Sequence, residues 1–115
     1  EIDEIVQRTR QGGAEIVAHL QTGSAYYAPG KSTAIMVEAI LKDTKQIHPC
    51  AVMLEGEYGY SDVVSGVPIM IGANGCEKII EVTLNDVEKK MFKKSVDSVQ
   101  TLINTLNENK FFDAE

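Results

Sequence analysis

Two histidines, His19 and His48, two cysteines, Cys50 and Cys76, and the nearby carboxylates Glu55 and Glu57 are the side chains with the most chemical scope in this chain. A histidine acts as a general base only when a neighbour orients it and a proton lies within reach. Neither histidine has a Ser, Cys or Asp placed to make that arrangement, so both are expected to be structural or surface groups. Glu55 and Glu57 stand two apart and would share one face of a strand. They could form an acid/base pair, but a solvated strand face is the expected reading. The cysteines share no Cys-x-x-Cys or zinc spacing, and read as reduced core thiols. No Gly-x-Gly-x-x-Gly follows a strand pattern, and no Walker loop is present. No His/Cys/Asp cluster has metal-ligand spacing, so no metal is expected. The residues by themselves describe an α+β domain without a self-contained catalytic site.

The elements that must position these groups follow from periodicity. Ile2, Ile5, Val6, Ile16, Val17 and Leu20 recur at helical spacing and predict a helix over 2–20. Gly12 and Gly13 inside it point to close packing or a kink. A small polar joint, Thr22 to Pro29, follows. Pro29 suits the first turn of a second helix, where a missing N–H costs nothing. Ile35, Met36, Ala39 and Ile40 mark its inward face as far as Lys42-Asp43. Strands are expected over 47–57, 63–73 and 78–84, with Asn74-Gly75 as a two-residue type I′ turn. Gly56 and Gly59, around Tyr58, are expected to serve a turn or bulge. Asn85, with Glu88 three residues on, predicts a capping box. The last helix carries Val87, Met91, Phe92, Val96, Val99, Leu102, Ile103 and Leu106 on a stripe broad enough to need a cover. The predicted order is α-α-β-β-β-α, with an antiparallel sheet packed by helices. Phe111 and Phe112, in an otherwise polar tail, are expected to dock on the body.

Composition sets the outer limits. The chain has 115 residues, 43% hydrophobic and 24% charged, which suits one small globular domain or part of one. Its formal net charge of −6 offers no basic stripe for phosphates, so nucleic acid and anionic membranes are not expected partners. No apolar run approaches a membrane span. No signal peptide precedes the first helical pattern, and a cytoplasmic location is expected. The chain opens Glu1-Ile2-Asp3, already inside a helical pattern, and is expected to be a piece of a longer polypeptide.

Several segments, taken together and in order, resemble the C-terminal part of the malate/lactate dehydrogenase family. They are Gly12-Gly13-Ala14-Glu15-Ile16-Val17, the joint Thr22-Gly23-Ser24-Ala25-Tyr26-Tyr27-Ala28-Pro29, His48-Pro49-Cys50-Ala51 with Leu54 to Gly59, and Gly66 to Gly75. The resemblance runs from Ile2 to about Leu106. It implies that residues 1–115 are the C-terminal part of a substrate domain. The NAD-binding Rossmann domain and the catalytic His, Asp and arginines would precede Glu1, leaving no catalytic residue in this chain. Gly30-Lys31 departs from the alanine-rich start that this second helix usually has in the family.

Within the joint, the resemblance carries over three positions. Ala25 falls where the pocket meets the end of the substrate that distinguishes family members. A small residue there leaves room for the second carboxylate of oxaloacetate. Pro29 falls where an apolar side chain faces the nicotinamide of NAD. Ser24, beside both, is a candidate hydroxyl donor to substrate. Without the resemblance, the three read as a tight-turn Ala, a first-turn Pro and an N-cap Ser. Some protozoan lactate enzymes keep such a joint, and the decisive specificity residue lies in a mobile loop upstream. Ala25 thus does not by itself separate the two; malate/oxaloacetate is the expected substrate pair, with pyruvate as the alternative. A non-enzymatic α+β interaction module is the competing reading of another class. The resemblance further implies docking on the Rossmann portion and a homo-dimer or homo-tetramer, with the helix after Pro29 as a contact element.

Overall fold

The computed structural model describes residues 1–111. The order is α1 (Ile2–Leu20), α2 (Tyr27–Leu41), β1 (Gln46–Glu55), a short 3-10 turn (Glu57–Gly59), β2 (Ser61–Gly72), β3 (Gly75–Ile79) and α3 (Asp86–Glu108). This is the α-α-β-β-β-α order predicted above, with one antiparallel sheet in the order β1-β2-β3. The chain divides into two units, residues 1–38 and Ala39 onward.

In the first unit α1 buries none of its residues, and Ile2 is 78% exposed. Its apolar stripe is complete but uncovered. The helix runs without interruption through Gly12-Gly13, and a Cβ added at either would meet nothing within 4 Å. Among the described residues neither the kink nor the close packing expected there is found. Arg8 grips Glu15 two turns along, through Nη2 at 3.0 Å and Nε at 3.3 Å. On an open surface such a pair adds little to stability, because solvent and salt screen it.

The second unit holds the core. Along β2 the side chains alternate: Val63, Ser65, Val67, Ile69 and Ile71 point inward and are buried. That is the period-2 pattern of a strand with one covered face. Leu54 on β1, Val96 on α3 and Ala39 at the end of α2 close over them. The broad stripe on α3 is only partly covered. Val96 is buried and Phe92 and Val99 pack against the core, whereas Val87, Met91 and Leu102 remain exposed. The sheet's other face also stays open, with Ile47, Met53 and Val64 exposed. Asn85 caps α3 as predicted: its side chain accepts from the Val87 and Glu88 amides, and its own amide donates to the Glu88 carboxylate at 2.8 Å. Phe111 is 65% exposed rather than docked, and Phe112 lies outside the described residues.

β2 begins at Ser61 rather than 63 and β3 at Gly75 rather than 78; three further differences from the sequence-based expectation have a physical reason. The hairpin loop is Ala73-Asn74, not Asn74-Gly75. Gly72 pairs with Gly75, and Gly75 alone takes positive φ, at 84°. A type I′ turn needs positive φ at both central residues, so the geometry is that of a turn closed by a left-handed glycine with a bulge in β3. The Ala73 amide of this loop donates to Asp43 Oδ1 at 2.8 Å, pinning the hairpin to the residues after α2.

The second difference is the end of β1. It stops at Glu55, not 57, because Gly56 (φ 132°) and Tyr58 (φ 54°) turn the chain and the register shifts at Leu54/Glu55. The turn or bulge expected of Gly56 and Gly59 is thus present.

The third difference is the end of β3, at Ile79 rather than 84. Pro68 lies opposite Ile80 when the register is continued by one residue. Ile80 N–H still donates to the Pro68 carbonyl at 2.8 Å, but Pro68 has no N–H to return the bond. The Tyr58 hydroxyl supplies it, donating to the Ile80 carbonyl at 3.0 Å. The same oxygen accepts from the Val82 amide at 3.0 Å, and the Tyr58 amide donates to Glu81 at 2.7 Å. A side chain from the β1–β2 connection therefore takes over where the ladder fails.

Candidate functional site

The joint of the first unit is built on Gly23. Its φ is 92°, and a Cβ there would collide with the hydroxyl and ring of Tyr26. Only glycine accepts both the left-handed backbone and the close ring. α2 begins at Tyr27, two residues before Pro29, so Pro29 sits in the first turn as expected. The first amides of α2 find backbone acceptors, Ala28 N–H on Ala25 O at 3.1 Å and Gly30 N–H on Tyr26 O at 2.9 Å. The Thr33 hydroxyl donates back to the Pro29 carbonyl at 3.0 Å. With α2 starting at Tyr27, Ser24 is too far upstream to cap it.

The three candidate residues thus lie together on one short segment. Ala25 is half-buried, and Ser24 and Pro29 are exposed. The Ser24 hydroxyl makes no hydrogen bond among the described residues. The segment offers a small methyl, an uncovered pyrrolidine ring and a hydroxyl with donor capacity to spare. Those groups can shape and line a pocket; they cannot move a proton or a hydride by themselves.

The other chemically capable residues do not converge. His19 is exposed in the last turn of α1. His48 is half-buried on β1, with Nε2 buried and without a hydrogen-bond partner among the described residues. An unmet nitrogen of this kind costs stability and marks no acid/base couple. Glu55 and Glu57 do not share a strand face. Glu57 lies in the 3-10 turn and its Oε2 accepts the Glu55 amide at 2.7 Å. That bond, with a contribution from its own amide, holds the Glu57 carboxyl below the usual carboxylate range. A group whose folded pKa is lowered stabilises the fold above its unfolded pKa and ceases to as pH falls through the folded one. The Glu55 amide resonance should therefore move on acidification with a midpoint below the ordinary glutamate value. An unshifted midpoint in an NMR titration would contradict the tie. Both cysteines are free; Cys50 is half-buried and packs against the core as expected, whereas Cys76 is exposed. β3 is an edge strand, which explains the exposure of Cys76. Among the described residues no three His, Cys, Asp or Glu side chains gather to hold a metal. No helix there is long and apolar enough to cross a membrane.

Tyr58 is the residue whose role sequence reading missed. The available signal was an aromatic between two glycines together with a proline inside a strand pattern.

The family model for the lactate/malate dehydrogenase α/β C-terminal domain matches residues 1–110. The chain belongs to the lactate/malate dehydrogenase family. It is 77% identical over 113 residues to a malate dehydrogenase of Sulfurimonas denitrificans, covering 98% of this chain and 35% of that protein. Among solved structures, a malate dehydrogenase of Cryptosporidium parvum matches at TM-score 0.87 and 46% identity, over 93% of this chain and 34% of that one. A lactate dehydrogenase of Eimeria maxima, solved with NADH and oxamate, matches at TM-score 0.90 and 39% identity, over 99% of this chain and 36% of that one. The chain thus spans about a third of the length of these relatives. Both malate and lactate enzymes share its fold.

Proposed function

We propose that this chain is the C-terminal part of the substrate domain of an NAD-dependent malate dehydrogenase, and that the intact polypeptide interconverts malate and oxaloacetate. The observation that carries the reading is the joint. A small Ala25, a spare Ser24 hydroxyl and an uncovered Pro29 ring stand together, in a chain 77% identical to a named malate dehydrogenase. Ala25 and Ser24 line the substrate end of the pocket, where the small methyl leaves space for a second carboxylate. Pro29 lies against the nicotinamide, and its exposed apolar ring suits a flat apolar partner. NAD, when bound, supplies the hydride acceptor. The residues that hold the proton and clamp the carboxylates belong to the upstream portion, and no residue of this chain is given a catalytic role.

The open α1 stripe and the uncovered sheet face support docking on that upstream portion or on a second copy, in a homo-dimer or homo-tetramer. They also weigh against a self-sufficient interaction module, which would bury its apolar residues. The free thiols agree with a cytoplasmic setting.

The test is the full-length polypeptide assayed with NADH on oxaloacetate and on pyruvate. Faster turnover of oxaloacetate is expected. Ala25→Leu should raise the KM for oxaloacetate about tenfold or more, the scale of misfit by a few methylenes, with the KM for NADH unchanged. A folded protein that reduces neither substrate would sink the proposal. Faster reduction of pyruvate would replace it with the lactate reading, which the Eimeria maxima likeness favours.

A further inference from the structure

The second unit carries a concavity of about 490 Å³ where the segment after β3 meets the first turns of α3. Its floor is aromatic. The ring centroid of Phe92 lies 5.0 Å from Tyr58 and 5.8 Å from Tyr60, and all three rings are only half-buried. The floor is pre-formed, because the Tyr58 hydroxyl is held on both sides by Ile80 and Val82. The rim is cationic. Lys93 is occupied by Asp97 at 2.6 Å, but Lys89 and Lys90 are exposed and have no ion pair among the described residues. The Thr83 hydroxyl and amide on the same rim have no intramolecular acceptor among the described residues, so they are spare donors.

We infer that this concavity binds a small aromatic carboxylate, its ring on Tyr58, Tyr60 and Phe92 and its anionic group against Lys89, Lys90 and Thr83. Charge complementarity selects the anion. The lining itself carries Lys89, Lys90 and Lys93 and no carboxylate, so its complement is an anion. The volume is that of a small-molecule site, and an apolar lining with a few convergent polar groups is how such sites are built. A rigid floor avoids the ordering cost that weakens binding to mobile surfaces. The site is built wholly from residues of the second unit, none of them in the joint, and is independent of the malate reading.

The test titrates 2-naphthoate and its uncharged analogue 2-naphthamide into the full-length protein by calorimetry at low salt. Saturating NADH is present, to occupy the cofactor pocket. Naphthoate is expected to bind at least fivefold more tightly than the amide. The double variant Lys89→Gln/Lys90→Gln should remove most of that preference, since two exposed charge pairs together amount to about five- to tenfold. Its affinity for naphthamide should not change, and Lys110→Gln should bind both ligands normally. Equal affinities for acid and amide would overturn the inference, as would naphthoate binding indifferent to the double variant. So would an absence of binding, the result expected if the upstream polypeptide covers the concavity.

Discussion

Leu54→Ala is expected to destabilise the sheet unit by about 3 kcal/mol, the middle of the range for deleting a buried leucine. Leu54 is 0% exposed and lies opposite Val63, at 1%, across the β1–β2 ladder. The size of the loss depends on whether neighbours can collapse into the space. Here they cannot easily do so. Leu54 is the last regular residue before the register shift, and the chain on its far side is set by Gly56 and Tyr58. Hydrogen exchange of the β2 amides at Val63, Val67 and Ile69 should accelerate roughly a hundredfold where it reports opening of this unit. Acceleration under tenfold would mean that the site repacks, or that the unit is held by other contacts.

The second large effect is expected from Tyr58→Phe. The substitution keeps the ring beside Phe92 and removes one oxygen. That oxygen serves two backbone groups, the Ile80 carbonyl and the Val82 amide. The Ile80 carbonyl cannot recover its ladder bond, because the residue facing it is Pro68. A loss of about 1–2 kcal/mol is expected, toward the lower end if water reaches Val82, which is 47% exposed. Tyr60→Phe is the matched control. Its hydroxyl has no hydrogen bond among the described residues, and the change should be near neutral. Denaturant unfolding that gave the two variants equal stability would remove the clamp from the account of this fold.

The capping box at Asn85 and Glu88 could be read directly from the chain, because both partners lie within one turn. The inward face of β2 could be read for the same reason: alternation is local. The candidate site was legible in another way. Ser24, Ala25 and Pro29 carried no chemistry that spacing could reveal, and only the resemblance singled them out. In the structure they lie on one short segment, Ser24 and Ala25 before α2 and Pro29 in its first turn, with Ser24 and Pro29 exposed. Capping by Ser24 failed because α2 starts later than a polar residue before a proline implies.

By itself, the sequence determined the number, order and type of elements, the capping of α3 and, through ordered segments, the family. Each of these rests on interactions within a turn or along a strand, or on several motifs whose spacing is preserved. Only the tertiary structure decided where β1 and β3 stop, which residues make the hairpin loop and which aromatic residue repairs the ladder at Pro68. Tyr58 meets Ile80 and Val82 across 22 and 24 residues of chain. No local period encodes a contact of that separation. It exists because folding brings a hydroxyl to a carbonyl whose natural partner, Pro68, has no hydrogen to give.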